Sequence, residues 1–274
     1  LASSAASDVY KRQLEHEGQA ALSEMGEFTP DPDDAISRAE IDEPPALSPA
    51  VSIPIDGQWQ EFPSVSTAEK ASYADFKAAS HRNAQNFHIT DNDLGAGGAK
   101  AKFQANLNAI QLLKHLEAEG LQASPEQQQI LSRYVGWGGL PDAFDESKPG
   151  WASEYQALKA ALTPEEYTAA RASTLNAHYT SPTVIRAIYE AVGNLGFQTG
   201  NILEPSMGIG NFFGMLPENM RGSRLYGVEL DSITGRIAKQ LYPKANITIA
   251  GFETTDRRDF FDLAVGNVPF GQYK

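Results

Sequence analysis

Two short stretches and one carboxylate of this 274-residue chain have the types and spacing to do chemistry. In "LEPSMGIGN" an apolar run ends at Glu204, and Gly208 and Gly210 occupy what reads as a turn into a helix. Glycines there let the backbone approach a ligand, whose polar groups meet the free N–H groups of the helix start. A tight strand-to-helix turn uses the same glycines, and the third glycine of a G-x-G-x-x-G turn, Gly214, falls one place late. In "RLYGVELD" Glu229 follows about 20 residues on, where an acidic side chain can accept both hydroxyls of a ribose. Alone it reads as a solvated strand-end carboxylate; with the glycine turn the nucleoside-binding reading gains.

The second stretch is "DLAVGNVPFG", an apolar run that delivers Asn267, Val268, Pro269 and Phe270. An exocyclic amine such as adenine N6 is a poor nucleophile because its lone pair is delocalised into the ring. The Asn267 side-chain oxygen and the Val268 carbonyl can accept its two N–H bonds and bias the nitrogen toward a tetrahedral, nucleophilic state. The Phe270 ring can stack on an extruded base. A type I turn with Pro269 in its middle is the plainer alternative.

These residues must be brought together by the elements around them. From Leu175 onward the chain alternates: a helix over "SPTVIRAIYEAVGNL" capped by Ser181, a strand "NILEP", a short helix from "NFFGML", a strand "RLYGVEL", a helix "DSITGRIAKQLYP", and strands "NITIAG" and "FDLAVGN". That alternation predicts right-handed crossovers and a parallel sheet, an α/β doubly wound domain of which four strands are present. Residues 87 to about 172 read instead as a mostly helical module. Phe103, Leu107, Ile110, Leu113 and Leu116 recur every three or four residues, Gly120 sits at a C-cap position, and Ser124-Pro125 and Thr163-Pro164 read as helix starts.

The formal charge of -13 is unevenly distributed: residues 1–61 hold 13 acidic and 3 basic side chains. The rest is nearly neutral, so charge neither demands nor forbids a DNA partner. Residues 1–86 are expected to be a disordered acidic linker, too rich in Asp, Glu, Pro, Ser and Ala to offset its ordering entropy, with "IPIDGQWQEFP" as a short docked piece within it. Leu1–Gln13 resembles an adapter-derived artefact and is set aside. The chain has no cysteine, which fits a reducing compartment and excludes disulfides and Cys-ligated zinc. The histidines have no metal-site spacing, and no metal is expected. "GAGGAK" lacks the preceding strand and following Ser or Thr of a phosphate loop, and Trp59, Trp137 and Trp151 read as packing residues. With no apolar run near the roughly 18 residues of a membrane span and no signal peptide, the reading is a soluble, cytoplasmic protein.

In order, "TLNAHYTSP", "LEPSMGIGNFFG", "YGVELD" and "GNVPFG" resemble the class I adenine-N6 DNA methyltransferases that use S-adenosyl-L-methionine. More narrowly, "ITDNDLGAGGAKAKFQANLNAIQLLKHLEAEG" with "YVGWGGLPDAF" is similar to the N-terminal part of large methylase-helicase proteins of conjugative elements and phages. The resemblance covers about residues 86–274. It implies a Rossmann-like methyltransferase fold over residues 173–274, with Tyr179 and Thr180 at the methionine end of the cofactor. Glu204, Ser206, Gly208 and Gly210 match the glycine-rich motif, Glu229 the ribose acid, and Asn267, Val268, Pro269 and Phe270 the catalytic tetrapeptide.

Two departures stand out. Where the family has Asp-Phe at the cofactor adenine, this chain has Gly251, Phe252 and Glu253, so Phe252 keeps the apolar contact and the acidic role moves to Glu253 or is lost. Val268 replaces a proline, which preserves its carbonyl and removes a restraint. The resemblance further implies DNA as partner and an absent remainder of the methylase sheet and a helicase region, so this chain is expected to be a fragment with little activity by itself. Two alternatives stay open: a methylase of protein glutamine or an RNA base, and a non-catalytic methylase-fold module for DNA binding or docking.

Overall fold

The computed structural model describes residues 51–55, 58–62, 65–92, 94–175 and 180–267. The chain divides into two compact units, Leu1–Ser72 and Tyr73–Lys274. The first contains an antiparallel hairpin of β1 (Val51–Ile55) and β2 (Gln58–Phe62), with Ile55 paired to Gln58. Helix α1 (Val65–Arg82) follows. This stretch was expected to be a linker holding at most a docked piece. Its strand character lies in the alternation of Val51, Ile53 and Ile55, and the two residues joining the strands are Asp-Gly, a strong short-range hairpin signal.

In the second unit the helices begin and end where local chemistry demands. Helix α2 (Ala99–Glu119) buries Phe103, Leu107, Ile110, Leu113 and Leu116 along one face and stops at Gly120, whose φ of 66° is left-handed. Ser124 and Thr163 form reciprocal capping boxes with Gln127 and Glu166 at the starts of α3 (Pro125–Leu131) and α5 (Pro164–Ala172). Between these two lies α4 (Ala152–Ala161), and α6 (Pro182–Asn194) starts at Ser181, whose side chain accepts the Val184 N–H. Trp137 and Trp151 pack against Phe103, as expected of packing residues, and "GAGGAK" leads into α2 at Ala99, where Lys100 pairs with Glu154 at 2.6 Å.

The four later strands are β3 (Asn201–Glu204), β4 (Arg224–Glu229), β5 (Asn246–Ile249) and β6 (Leu263–Ala264). They pair in parallel in the order β5-β4-β3-β6. Helix α7 (Asn211–Gly214) follows β3, and α8 (Ser232–Leu241) crosses from β4 to β5. Because β6 lies on the far side of β3, the strand order reverses between them. The parallel pairing puts the C-terminal ends of β3, β4 and β6 at one edge of the sheet.

The helical residues and the sheet, expected as two modules meeting near residue 172, share a single core that runs from Phe87 to Val265. Hydrogen bonds tie them across long sequence separations. Phe87 N–H donates to the Leu241 carbonyl at 2.7 Å, Ile89 N–H to the Gly214 carbonyl at 2.9 Å, and the buried Gln128 amide to the Gln240 carbonyl at 3.0 Å. Arg236 of α8 reaches Glu117 of α2 and Glu166 of α5, both at 2.7 Å.

Candidate functional site

The loop after β3 is shaped by three glycines with different reasons for being glycine. Gly208 has φ +56° and open space where a Cβ would stand, so its backbone is left clear on the solvent side. Gly210, at φ +85°, has its N–H engaged by the Met207 carbonyl, and a Cβ there would come within 2.6 Å of the Tyr242 ring. Gly214 would meet Ile89 and the Tyr242 hydroxyl at the same distance. Gly210 and Gly214 thus serve close packing beneath the loop, while Gly208 faces open space. Ser206 lies half-buried in the same turn.

Met207 N–H donates to the Val228 carbonyl at 3.0 Å, which draws the loop across β4. The Met207 sulfur then lies over Gly227, where a Cβ would come within 2.2 Å of it. Sequence reasoning passed over this pair, although a glycine inside a strand is itself a sign of close approach.

Glu229 ends β4 facing that loop. Its Oε2 accepts the Gly208 N–H and its Oε1 the Asp231 N–H, each at 2.8 Å. Burial raises the Glu229 carboxyl above its ordinary value, and the two N–H donors oppose the rise by favouring the anion. Glu204, at the end of β3, is buried to 2% exposure, and its Oε2 has no hydrogen-bond partner. Burial pushes its carboxyl well above 4.5, and the Glu229 charge pushes the same way. Burial thus raises both carboxyls, and of the two Glu229 alone has backbone donors that favour its anion.

β6 brings the third component to the same edge. Val265 N–H donates to the Leu203 carbonyl at 2.9 Å, and a Cβ on Gly266 would touch the Glu204 Cγ at 3.6 Å. Asn267, the next residue, is exposed at the strand's end. Ala250 N–H bonds the Glu229 carbonyl at 2.9 Å, so the exposed Phe252 and Glu253 follow directly from the same edge. The structure thus brings Gly208 and Glu229 into direct contact and sets Gly266, the residue before Asn267, against Glu204. Thr180 stands just before the Ser181 cap of α6, and that helix touches α7, which follows the loop, through the Tyr189 hydroxyl, which donates to the Phe212 carbonyl at 2.8 Å. Tyr179, Val268, Pro269 and Phe270 lie outside the described residues. Among the described residues no cluster of His, Cys, Asp and Glu could hold a metal, and no helix is long and apolar enough to cross a membrane.

Two curated proteins are similar to this chain. Defense against restriction protein B of Escherichia phage P1 is 33% identical over 171 residues, which make up 61% of this chain and 6% of that protein. Type II methyltransferase M.CvrRI of Paramecium bursaria Chlorella virus XZ-6E is 35% identical over 83 residues, 30% of this chain and 21% of that protein. No family model and no solved structure matches. The chain is related in sequence to a methyltransferase and spans only a small part of either relative's length.

Proposed function

We propose that this chain is the cofactor-binding and motif-bearing part of an S-adenosyl-L-methionine-dependent DNA methyltransferase acting on adenine N6, with a Rossmann-like doubly wound sheet. The observation that carries the reading is Glu229, braced at the end of β4 on the N–H of Gly208 in the glycine turn after β3. The strand order β5-β4-β3-β6, reversing beside β3, supports it, because ligands of doubly wound sheets bind at that reversal. The relation to a type II methyltransferase supports methyl transfer, and the relation to a restriction-defence protein supports DNA as the acceptor.

The residues fit the cofactor. Gly208 leaves open space at its Cα, and Glu229 presents a fixed carboxylate of the kind that accepts ribose hydroxyls. Glu204 adds a buried carboxyl oxygen that no protein group satisfies. When bound, S-adenosyl-L-methionine supplies a methyl group on a positively charged sulfur, open to in-line displacement. The chain's own work is positional. Asn267 Oδ1 and the Val268 carbonyl accept the two N–H bonds of the target amine, which localises the nitrogen lone pair, and Phe270 stacks on the base. Phe252 would offer an apolar contact to the cofactor adenine, and Tyr179 and Thr180, which match the family's motif, would contact its methionine end.

The test is transfer of a labelled methyl group to DNA by a form extended along the relatives' length. Label in N6-methyladenine, lost on Asn267→Ala while cofactor binding persists, is the expected result. Label on a protein glutamine or an RNA base instead would reassign the acceptor.

A further inference from the structure

The glycine turn after β3 rests on a side chain that belongs to neither the turn nor its strand. Tyr242 follows the last residue of α8 and is 1% exposed. Its ring lies under Gly210, where a Cβ would stand 2.6 Å from Cε2 and 3.0 Å from Cδ2. The Tyr242 hydroxyl lies under Gly214 in the same way, 2.6 Å from where a Cβ would stand. One side chain thus underlies both ends of the stretch from Gly210 to Gly214, and Phe213 meets its ring edge-on with centroids 5.7 Å apart. In an interior packed this closely, neither glycine can gain a side chain unless the ring or the turn moves.

The helical part of the chain fixes the place of Tyr242. Its N–H makes the last helical bond of α8, to the Ala238 carbonyl at 2.8 Å, and Pro243 follows, which cannot continue the helix. The carbonyls at such an end need partners from outside the helix. The buried Gln128 amide donates to the Gln240 carbonyl at 3.0 Å and the Leu241 carbonyl at 3.3 Å, and the Phe87 N–H donates to Leu241 at 2.7 Å. The Ile89 N–H then donates to the Gly214 carbonyl at 2.9 Å, so the stretch from Phe87 to Ile89 ties the end of α8 to α7. Nothing in the proposed reaction uses Tyr242, Gln128 or Phe87.

We propose that Tyr242 is a positioning residue for the cofactor turn: its ring is the floor that holds Gly208 against Glu229, and the helical part of the chain fixes that floor through Gln128 and Phe87. The inference rests on the cofactor reading of the glycine turn. The Gly210 N–H bonds the Met207 carbonyl at 2.8 Å, so Gly208 lies inside a closed turn whose far end stands on the ring. The Gly208 N–H in turn bonds Glu229 Oε2 at 2.8 Å, a bond that lasts only while the turn keeps its place. A turn that sinks onto a smaller side chain carries Gly208 away from the carboxylate, and the fraction of the chain ready to bind falls with it.

The test takes two readings on the 274-residue chain. One is the amide resonance of Gly208 in isotope-labelled protein, which reports its hydrogen bond to Glu229; the other is calorimetric titration with S-adenosyl-L-methionine. Tyr242→Leu should shift the resonance and weaken binding by about five- to tenfold, as expected when the binding-ready fraction falls by that factor. Tyr242→Phe, which keeps the ring, should leave the resonance in place and the affinity within about twofold. Leu158→Ala, which opens a cavity in α4 where that helix packs on α2, should lower the thermal midpoint and move neither reading. Gln128→Met keeps the volume but offers the end of α8 no amide donor. It should move both readings in the direction of Tyr242→Leu, and it carries the test if that variant does not fold. The role assigned to Tyr242 is overturned if folded Tyr242→Leu matches the natural chain in both readings, if Leu158→Ala moves them equally, or if Gln128→Met moves neither. A folded natural chain that binds no S-adenosyl-L-methionine overturns the cofactor reading instead, and the Gly208 resonance then still decides whether Tyr242 holds the turn.

Discussion

Gly208 and Glu229, 21 residues apart in sequence, are joined by a 2.8 Å hydrogen bond from the glycine N–H to the carboxylate Oε2. The bond locks the loop after β3 to the end of β4 and leaves Glu229 half-buried at that strand's end.

Gly208 and Gly210 should respond differently to alanine. At Gly208 the cost is one residue in a left-handed conformation, about 1–2 kcal/mol, with no clash. At Gly210 the Tyr242 ring adds a steric conflict, so the loss should reach about 2–4 kcal/mol. Urea denaturation of the two variants measures the difference, and equal losses would contradict the packing role of Gly210.

Glu204 should make the chain less stable as pH rises. Its folded-state value is raised, so near and below 4.5 the folded and unfolded chains both bind the proton. Above that, the unfolded chain releases its proton while the folded chain keeps it, and stability falls until the folded value is passed. Glu204→Gln should remove this decline and be more stable at pH 8 by on the order of 1–2 kcal/mol. Thermal midpoints from pH 4.5 to 8.5 check it, and parallel curves for both proteins would refute it.

Glu166 should act with the opposite sign. Despite the cost of its burial, Lys114, the Thr163 N–H and Arg236 hold its carboxyl at about 2. Its contribution is present above the ordinary value of 4.5 and is lost as pH falls toward 2. Glu166→Gln should cost about 1–3 kcal/mol at pH 7 and flatten the acid limb of the stability curve. Because Arg236 belongs to α8 and Glu166 to α5, the same variant should raise hydrogen exchange in both helices.

What was legible in the sequence was mostly local. Gly120, Ser124 and Thr163 mark helix ends because a cap is a bargain between residues three or four apart. The place of Glu229, at a strand's end beside the glycine turn, was legible because the spacing from glycine to acid is set by one crossover. The β1–β2 hairpin was overlooked because acidic and proline-rich neighbours dominated the composition, although Asp-Gly between alternating residues was there to be read. The joining of helices and sheet into one core was not legible. It rests on pairs such as Ile89 with Gly214 and Gln128 with Gln240, more than a hundred residues apart, which no local pattern encodes.

The most direct measurement is calorimetric binding of S-adenosyl-L-methionine to the chain and to its Glu229→Ala variant. The account predicts binding by the natural chain that weakens about tenfold or more in the variant, the loss of at least one strong hydrogen bond to the ribose. No binding by the folded chain, or equal binding by both proteins, would contradict it.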